Sequence, residues 1–219
     1  MSEMRQTQPL QPTLAGWIIR DAAVYAVFGA VLWACQLWWV GAASWLAAAV
    51  AGIVSFAAAY AVCYINHEWG HWLGARMAGA ELPLGSYRGV LLGLFDTRAH
   101  SRKQFQFMSV GGIAGYLATA IVFSMLFYAA ADTPVTTGLC LGGAAFVAQS
   151  LSVDLPIVWR VHKGADVTTS AREGAEPRVI LRRTWQSWLL LAVIAALLFA
   201  ADAWAADPSA QQDHPMVMR

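Results

Sequence analysis

From Ala22 to Asn66 the chain contains no Asp, Glu, Lys or Arg. Roughly 20 apolar residues cross a bilayer as a helix. The run is therefore too long for one span, and Gly41-Ala42-Ala43-Ser44 is the natural place for it to turn. It ends in Ile65-Asn66-His67-Glu68-Trp69-Gly70-His71-Trp72-Leu73. Ionisable groups at the end of such a run are costly in lipid, and their presence marks a functional site by default.

Composition supports a membrane protein. Of 219 residues, 58% are hydrophobic and only 12% charged, where a soluble domain carries about a quarter charged. The expected fold is an all-α polytopic membrane protein of about five transmembrane helices, with a small re-entrant or β-hairpin segment after the second. A net charge of +1 gives no reason to expect nucleic acid as a partner; the lipid bilayer is the expected surrounding. Cys35, Cys63 and Cys140 lie in apolar stretches without C-x-x-C spacing, so no disulfide framework is expected. Cys63, one turn before His67, reads as a packed core thiol.

The polar residues 1–15 read as a disordered cytoplasmic arm. The apolar run from Ala22 to Val40 is longer than the core of a secretory signal. Five spans are expected, at about Asp21–Val40, Trp45–Met77, Phe105–Ala131, Thr137–Trp159 and Trp185–Ala201. Gly79 and Pro83 end the second. Leu82 to Arg98, broken by Pro83, Gly85, Gly89 and Gly93, is too short to span. Its Val90–Phe95 stretch reads as a strand or re-entrant hairpin near the site. Arg160 to Arg183 reads as a basic loop, and 207–219 as an outer tail. Residues 16–206 thus form a single transmembrane domain with a catalytic core at about 45–159.

Basic residues alternate between loops. Arg5 and Arg20 precede the first span; Arg76, Arg88, Arg98, Arg102 and Lys103 follow the second; six more follow the fourth, from Arg160 to Arg183. The turns at 41–44 and 132–134 have none, and the tail has only Arg219. The positive-inside rule then places the N-terminus in the cytoplasm and the C-terminus outside, in a multi-pass protein of the plasma (inner) membrane.

On a helix, positions i and i+4 share one face. His67 and His71 can offer two imidazole nitrogens to one metal ion, while Glu68, offset by one position, can reach water without ligating. This is the zinc-peptidase pattern, two His ligands and a Glu as general base. A hydrolytic zinc site takes a third protein ligand and keeps one position open. Helical rise sorts the acids: His67 stands about 33 Å along its helix from the outer end, and Asp154 about 26 Å. The two can meet, which makes Asp154 the expected third ligand and Asp21 the runner-up. Asp132 and Asp202 fall at the outer face, Glu81 is too close in sequence, and Asp166 needs its loop to fold back. The competing role for Asp154 is an ion pair with Arg160.

With these features the chain resembles the site-2 protease family of intramembrane zinc metalloproteases. The likeness covers about Trp45 to Trp159: His67-Glu68-Trp69-Gly70-His71 late in one span, a Gly-rich helix, and Asp154 late in a following span. It implies His67, His71 and Asp154 as ligands of Zn2+, Glu68 as the catalytic base, and a single-span membrane protein as substrate. Two departures stand out. The family's Asp is usually followed by Gly, and here Leu155-Pro156 follows. The family's middle helix often carries Gly-Pro-x-x-Asn, whereas Gly112-Ile113-Ala114-Gly115-Tyr116 has neither Pro nor Asn. The alternative expectation is a non-proteolytic metal-binding membrane adaptor of the same fold. A transporter is disfavoured by the lack of internal repeats.

Overall fold

The computed structural model describes residues 11–129, 133–174 and 176–206; the side chains of 190 and 194–206 fall outside that description. Residues 1–10 of the expected arm, the expected 207–219 tail, and Asp132 lie outside the described residues, as does the Asp202 side chain. Six helices follow in order: α1 (Leu14–Ala42), α2 (Trp45–Met77), α3 (Arg102–Ala129), α4 (Pro134–His162), α5 (Val167–Gly174) and α6 (Pro177–Ala206). The first four are long and apolar enough to cross a membrane. Their outward faces carry large apolar side chains such as Trp45, Ile53, Val110 and Ile121, each more than half exposed. Such surfaces need lipid rather than water around them. The protein is an all-α polytopic membrane protein.

The two-helix reading of the long uncharged run is met residue by residue at its turn. Ala43 takes the left-handed conformation that ends α1, and the Ser44 side chain caps α2 by accepting from the Ala47 amide at 3.3 Å. α1 starts at Leu14, capped by Thr13, so the helix intrudes on the last residues of the expected arm. The expected 160–183 loop is also mostly helical. Asp166 caps α5 through the Thr169 amide at 2.8 Å, a bond that holds its carboxyl below the ordinary carboxylate range. α6 begins at Pro177, well before Trp185, because Pro is favoured in a helix's first turn and Arg182-Arg183 continue it.

α2 is the central element, with α3 and α4 packed along it, α1 on its flank and α6 against α4. Small residues allow close backbone approach. α3 runs antiparallel to α2: a Cβ on Gly70 would stand 2.2 Å from the Gly111 carbonyl oxygen, and one on Gly115 2.2 Å from that of Asn66. α4 runs parallel to α2, with Gly138 against Gly52 and Gly142 against Phe56. Between the crossings lies an apolar core that includes Ala59, Cys63, Tyr116, Phe123 and Phe146.

Between α2 and α3, residues 82–98 fold back without forming a strand among the described residues. A single antiparallel bridge joins Leu84 to Gly93, with Gly85 N–H donating to Leu92 O and Leu94 N–H to Pro83 O, both at 2.9 Å. The expected strand over Val90–Phe95 is thus reduced to one bridge, since Gly85, Gly89 and Gly93 leave little to pair.

Candidate metal and hydrolase site

The helical spacing brings the two histidines together. The Nε2 atoms of His67 and His71 stand 3.0 Å apart, with ring centroids separated by 4.1 Å. Two nitrogens bound to one tetrahedral zinc at ordinary lengths stand about 3.3 Å apart. The pair is therefore spaced much as a shared ion would space it. His71 Nδ1 lies 2.8 Å from the Met108 carbonyl. A carbonyl only accepts, so Nδ1 carries the proton and Nε2 presents its lone pair. This is the outer-shell bond typical of metal-binding histidines.

The ring of His71 fits here because position 112 has no side chain. A Cβ on Gly112 would come within 2.4 Å of His71 Cε1. Around His67 sit Tyr116, Phe146 and Tyr64, with ring centroids at 5.5, 6.1 and 6.3 Å.

Glu68 points to a different side of α2. It is buried, and its Oε2 accepts from the Leu92 amide at 3.3 Å. It lines a cavity of about 280 Å³ with Tyr64, Ile65, Trp17, Arg20 and Leu92.

Asp154 arrives by register. The Gly52–Gly138 and Phe56–Gly142 contacts keep one constant offset between parallel helices. Carried about three turns inward, that offset sets Asp154 level with Glu68. α4 starts at Pro134 rather than Thr137, and the extra rise of about 4.5 Å removes much of the depth mismatch expected from sequence. Asp154 is within electrostatic reach of Glu68 and Tyr116. Even so, among the described residues no three His, Cys, Asp or Glu side chains converge closely enough to hold an ion. The structure joins the two histidines and does not bring Asp154 to them as a third donor.

The competing partners are accounted for. Arg160 pairs with Glu173 at 2.5 Å, leaving Asp154 Oδ2 buried without a hydrogen-bond partner. Asp21, the runner-up ligand, is already engaged: Oδ1 takes Arg20 Nη2 at 2.6 Å and Oδ2 takes Trp69 Nε1 at 2.7 Å. Asp166 is spent on capping α5. Two more polar atoms near the histidines share the condition of Asp154 Oδ2. His67 Nδ1 and the Tyr116 hydroxyl are buried and without a hydrogen-bond partner. Buried polar groups are nearly always satisfied, so the unpartnered atoms of His67 itself, of Tyr116 with its ring 5.5 Å from that of His67, and of Asp154 mark a region suited to something polar. The donor set suits zinc in kind: two imidazoles and a carboxylate.

Sequence reasoning missed several participants. The Arg20–Asp21–Trp69 cluster was hidden because Trp69 stands at a variable position of the motif. Met108 acts through its backbone, which leaves no residue-type signal. Arg183, read as a loop residue, reaches from α6 to the Val153 carbonyl at 3.2 Å, next to Asp154. No family model, curated protein or solved structure matches this chain.

Proposed function

We propose that the protein is an intramembrane zinc metalloprotease, of the kind the site-2 protease family represents, that hydrolyses a peptide bond in or near a transmembrane segment of a single-span membrane protein. The observation that carries this reading is the His67–His71 pair, its Nε2 atoms 3.0 Å apart and one ring fixed by Met108, beside a buried carboxylate on the same helix turn. His67, His71 and Asp154 would hold the zinc, Asp154 after a closing shift of α4 toward α2. Zinc supplies Lewis acidity there, polarising the scissile carbonyl and acidifying water. Glu68 accepts the proton of the attacking water as its oxygen bonds to the carbonyl carbon, then delivers that proton to the leaving nitrogen as the C–N bond breaks. The Tyr116 hydroxyl, fully buried and without a partner, would donate to the developing oxyanion.

The substrate must unwind to expose its carbonyls. Five spans with a cytoplasmic N-terminus and an outer C-terminus would put this site near the inner face of the plasma membrane, where water has a short path. A second reading, the non-proteolytic metal-binding adaptor, is favoured by one observation: no third donor closes on the histidine pair among the described residues. Two measurements decide. Zinc content of purified protein should be about one per chain and fall in His71→Ala and Asp154→Ala; equal zinc in all three removes the site. Glu68→Gln should keep zinc and lose cleavage of a single-span substrate; undiminished cleavage removes the mechanism, and zinc without cleavage by any form selects the adaptor.

A further inference from the structure

Glu68 is covered. The cover is the 82–98 segment, and Leu92 is its plug: its side chain is 1% exposed, while Val90 and Leu94 on either side are 65% and 47% exposed. The Leu92 amide occupies one oxygen of the Glu68 carboxylate. Beside Leu92 the cavity of about 280 Å³ has room for several waters at about 30 Å³ each, and the buried Leu92 side chain with its amide on Glu68 narrows the approach to that carboxylate.

The second half of the cover is tied to α5 and α3, through Thr97 with Thr168 at 3.0 Å and Phe95 against Phe105; what holds its first half is α1. Trp17 Nε1 donates to the Gly85 carbonyl at 3.1 Å. Arg20 Nη1 donates to the Gly89 carbonyl at 3.2 Å and reaches that of Tyr87 at 3.5 Å. At the tip, the Tyr87 hydroxyl accepts from the Thr13 amide at 2.6 Å. Arg20 is itself rooted: its guanidinium lies 3.6 Å from the centre of the Trp17 ring and pairs with Asp21, which Trp69 of α2 holds in place. The chain of contacts runs from the helix that carries the histidines, through the start of α1, to the segment over Glu68. Within the segment a single bridge and three glycines give little stiffness of its own.

We propose that residues 82–98 are a removable cover over Glu68, clasped shut by the first turns of α1 through Trp17, Arg20 and Tyr87. The proposal rests on the reading of Glu68 as the working carboxylate and gives that site a regulated resting state. A substrate helix reaching Glu68 must part α1 from the cover, so movement of α1 and exposure of Glu68 are one event.

The test reads the cover directly and does not depend on proteolysis. Purified wild type, Arg20→Ala and Tyr87→Phe, in nanodiscs, are treated with a carbodiimide and an amine nucleophile, and modification of Glu68 is followed by peptide mass spectrometry. Asp154, on α4, is the internal control for loosening of the bundle, and an unchanged Asp154 rate reports an intact bundle. Loss of the Arg20 bonds should speed Glu68 labelling about ten-fold or more, the scale one charge-assisted hydrogen bond allows. Tyr87→Phe, the milder change, should give a smaller increase in the same direction. Cleavage of a single-span substrate by Arg20→Ala should rise in kcat/KM. Equal Glu68 labelling in all three proteins overturns the cover, as does faster labelling with slower cleavage. Faster labelling with no cleavage by any of the three leaves the cover standing and removes the peptidase reading instead.

Discussion

Gly112 and Tyr116 are the residues whose replacement separates packing from chemistry. Gly112 leaves space that the His71 imidazole fills, so Gly112→Ala must push the ring or the helix aside. Overpacking of this kind costs about 1–3 kcal/mol, and here the displaced group is His71, the proposed metal donor. Zinc content of Gly112→Ala is expected to fall toward that of His71→Ala while the protein remains folded, measured by metal analysis beside thermal unfolding. Tyr116 gives the opposite pattern. Its hydroxyl has no partner in the resting structure, so Tyr116→Phe removes an unsatisfied buried group and should not lower the unfolding temperature. If the hydroxyl meets the oxyanion, kcat falls about 10²–10³-fold with zinc unchanged. Steady-state cleavage with metal analysis reads both; an unaltered kcat assigns Tyr116 to packing.

At the scale of the helices, the α2–α3 contact sets the site because Met108, Gly112 and Tyr116 all reach it from α3. The contact is backbone on backbone at Gly70 and Gly111. Gly70→Ala would therefore separate the helices near the motif and draw Met108 from His71. The expected result is a loss of about 1–3 kcal/mol in detergent-based unfolding together with weaker zinc retention. Gly41→Ala, where a Cβ would meet nothing within 4 Å, is the control and should change neither. Much of this was legible in the chain. The uncharged run, the turn at 41–44 and the i, i+4 histidines follow from hydropathy and helical periodicity, which act locally. The Trp45–Met77 helix matched its expected bounds because Ser44 and Gly79 signal them chemically. What stayed hidden depends on contacts between distant segments. Met108 acts by its carbonyl, Trp69 by an indole N–H on Asp21, and α5 by a single Asp166 cap. Of the strand or re-entrant hairpin expected over 90–95, only a fold-back with one antiparallel bridge is present, because an apolar run is a local signal and a ladder needs a longer facing strand than 83–85 supplies.

For the whole molecule, the arrangement of spans decides whether the proposed site faces the cytoplasm. Each described membrane-length helix reverses direction, so α2 and α4 descend together and deliver His67 and Asp154 to one face. The segments at that face, 78–101 and 163–176, carry Arg88, Arg98, Lys163 and Arg172, whereas the turns at the opposite face carry no Lys or Arg. Lysine and arginine in short loops are retained in the cytoplasm, so the rule predicts a cytoplasmic site. α6 fixes the rest. Its first turns hold Arg178, Arg182 and Arg183, and the apolar stretch from Trp185 onward is of the length that crosses once. Crossing would carry residue 219 to the outer side, opposite residue 1. Single cysteines placed near each end, in a background lacking Cys35, Cys63 and Cys140, test this with an impermeant maleimide on intact cells: the C-terminal thiol should label and the N-terminal thiol only after permeabilisation. Labelling of neither end in intact cells would make α6 a helix lying along the inner surface, and Arg183 would then bind the Val153 carbonyl from the membrane edge rather than from a fifth span.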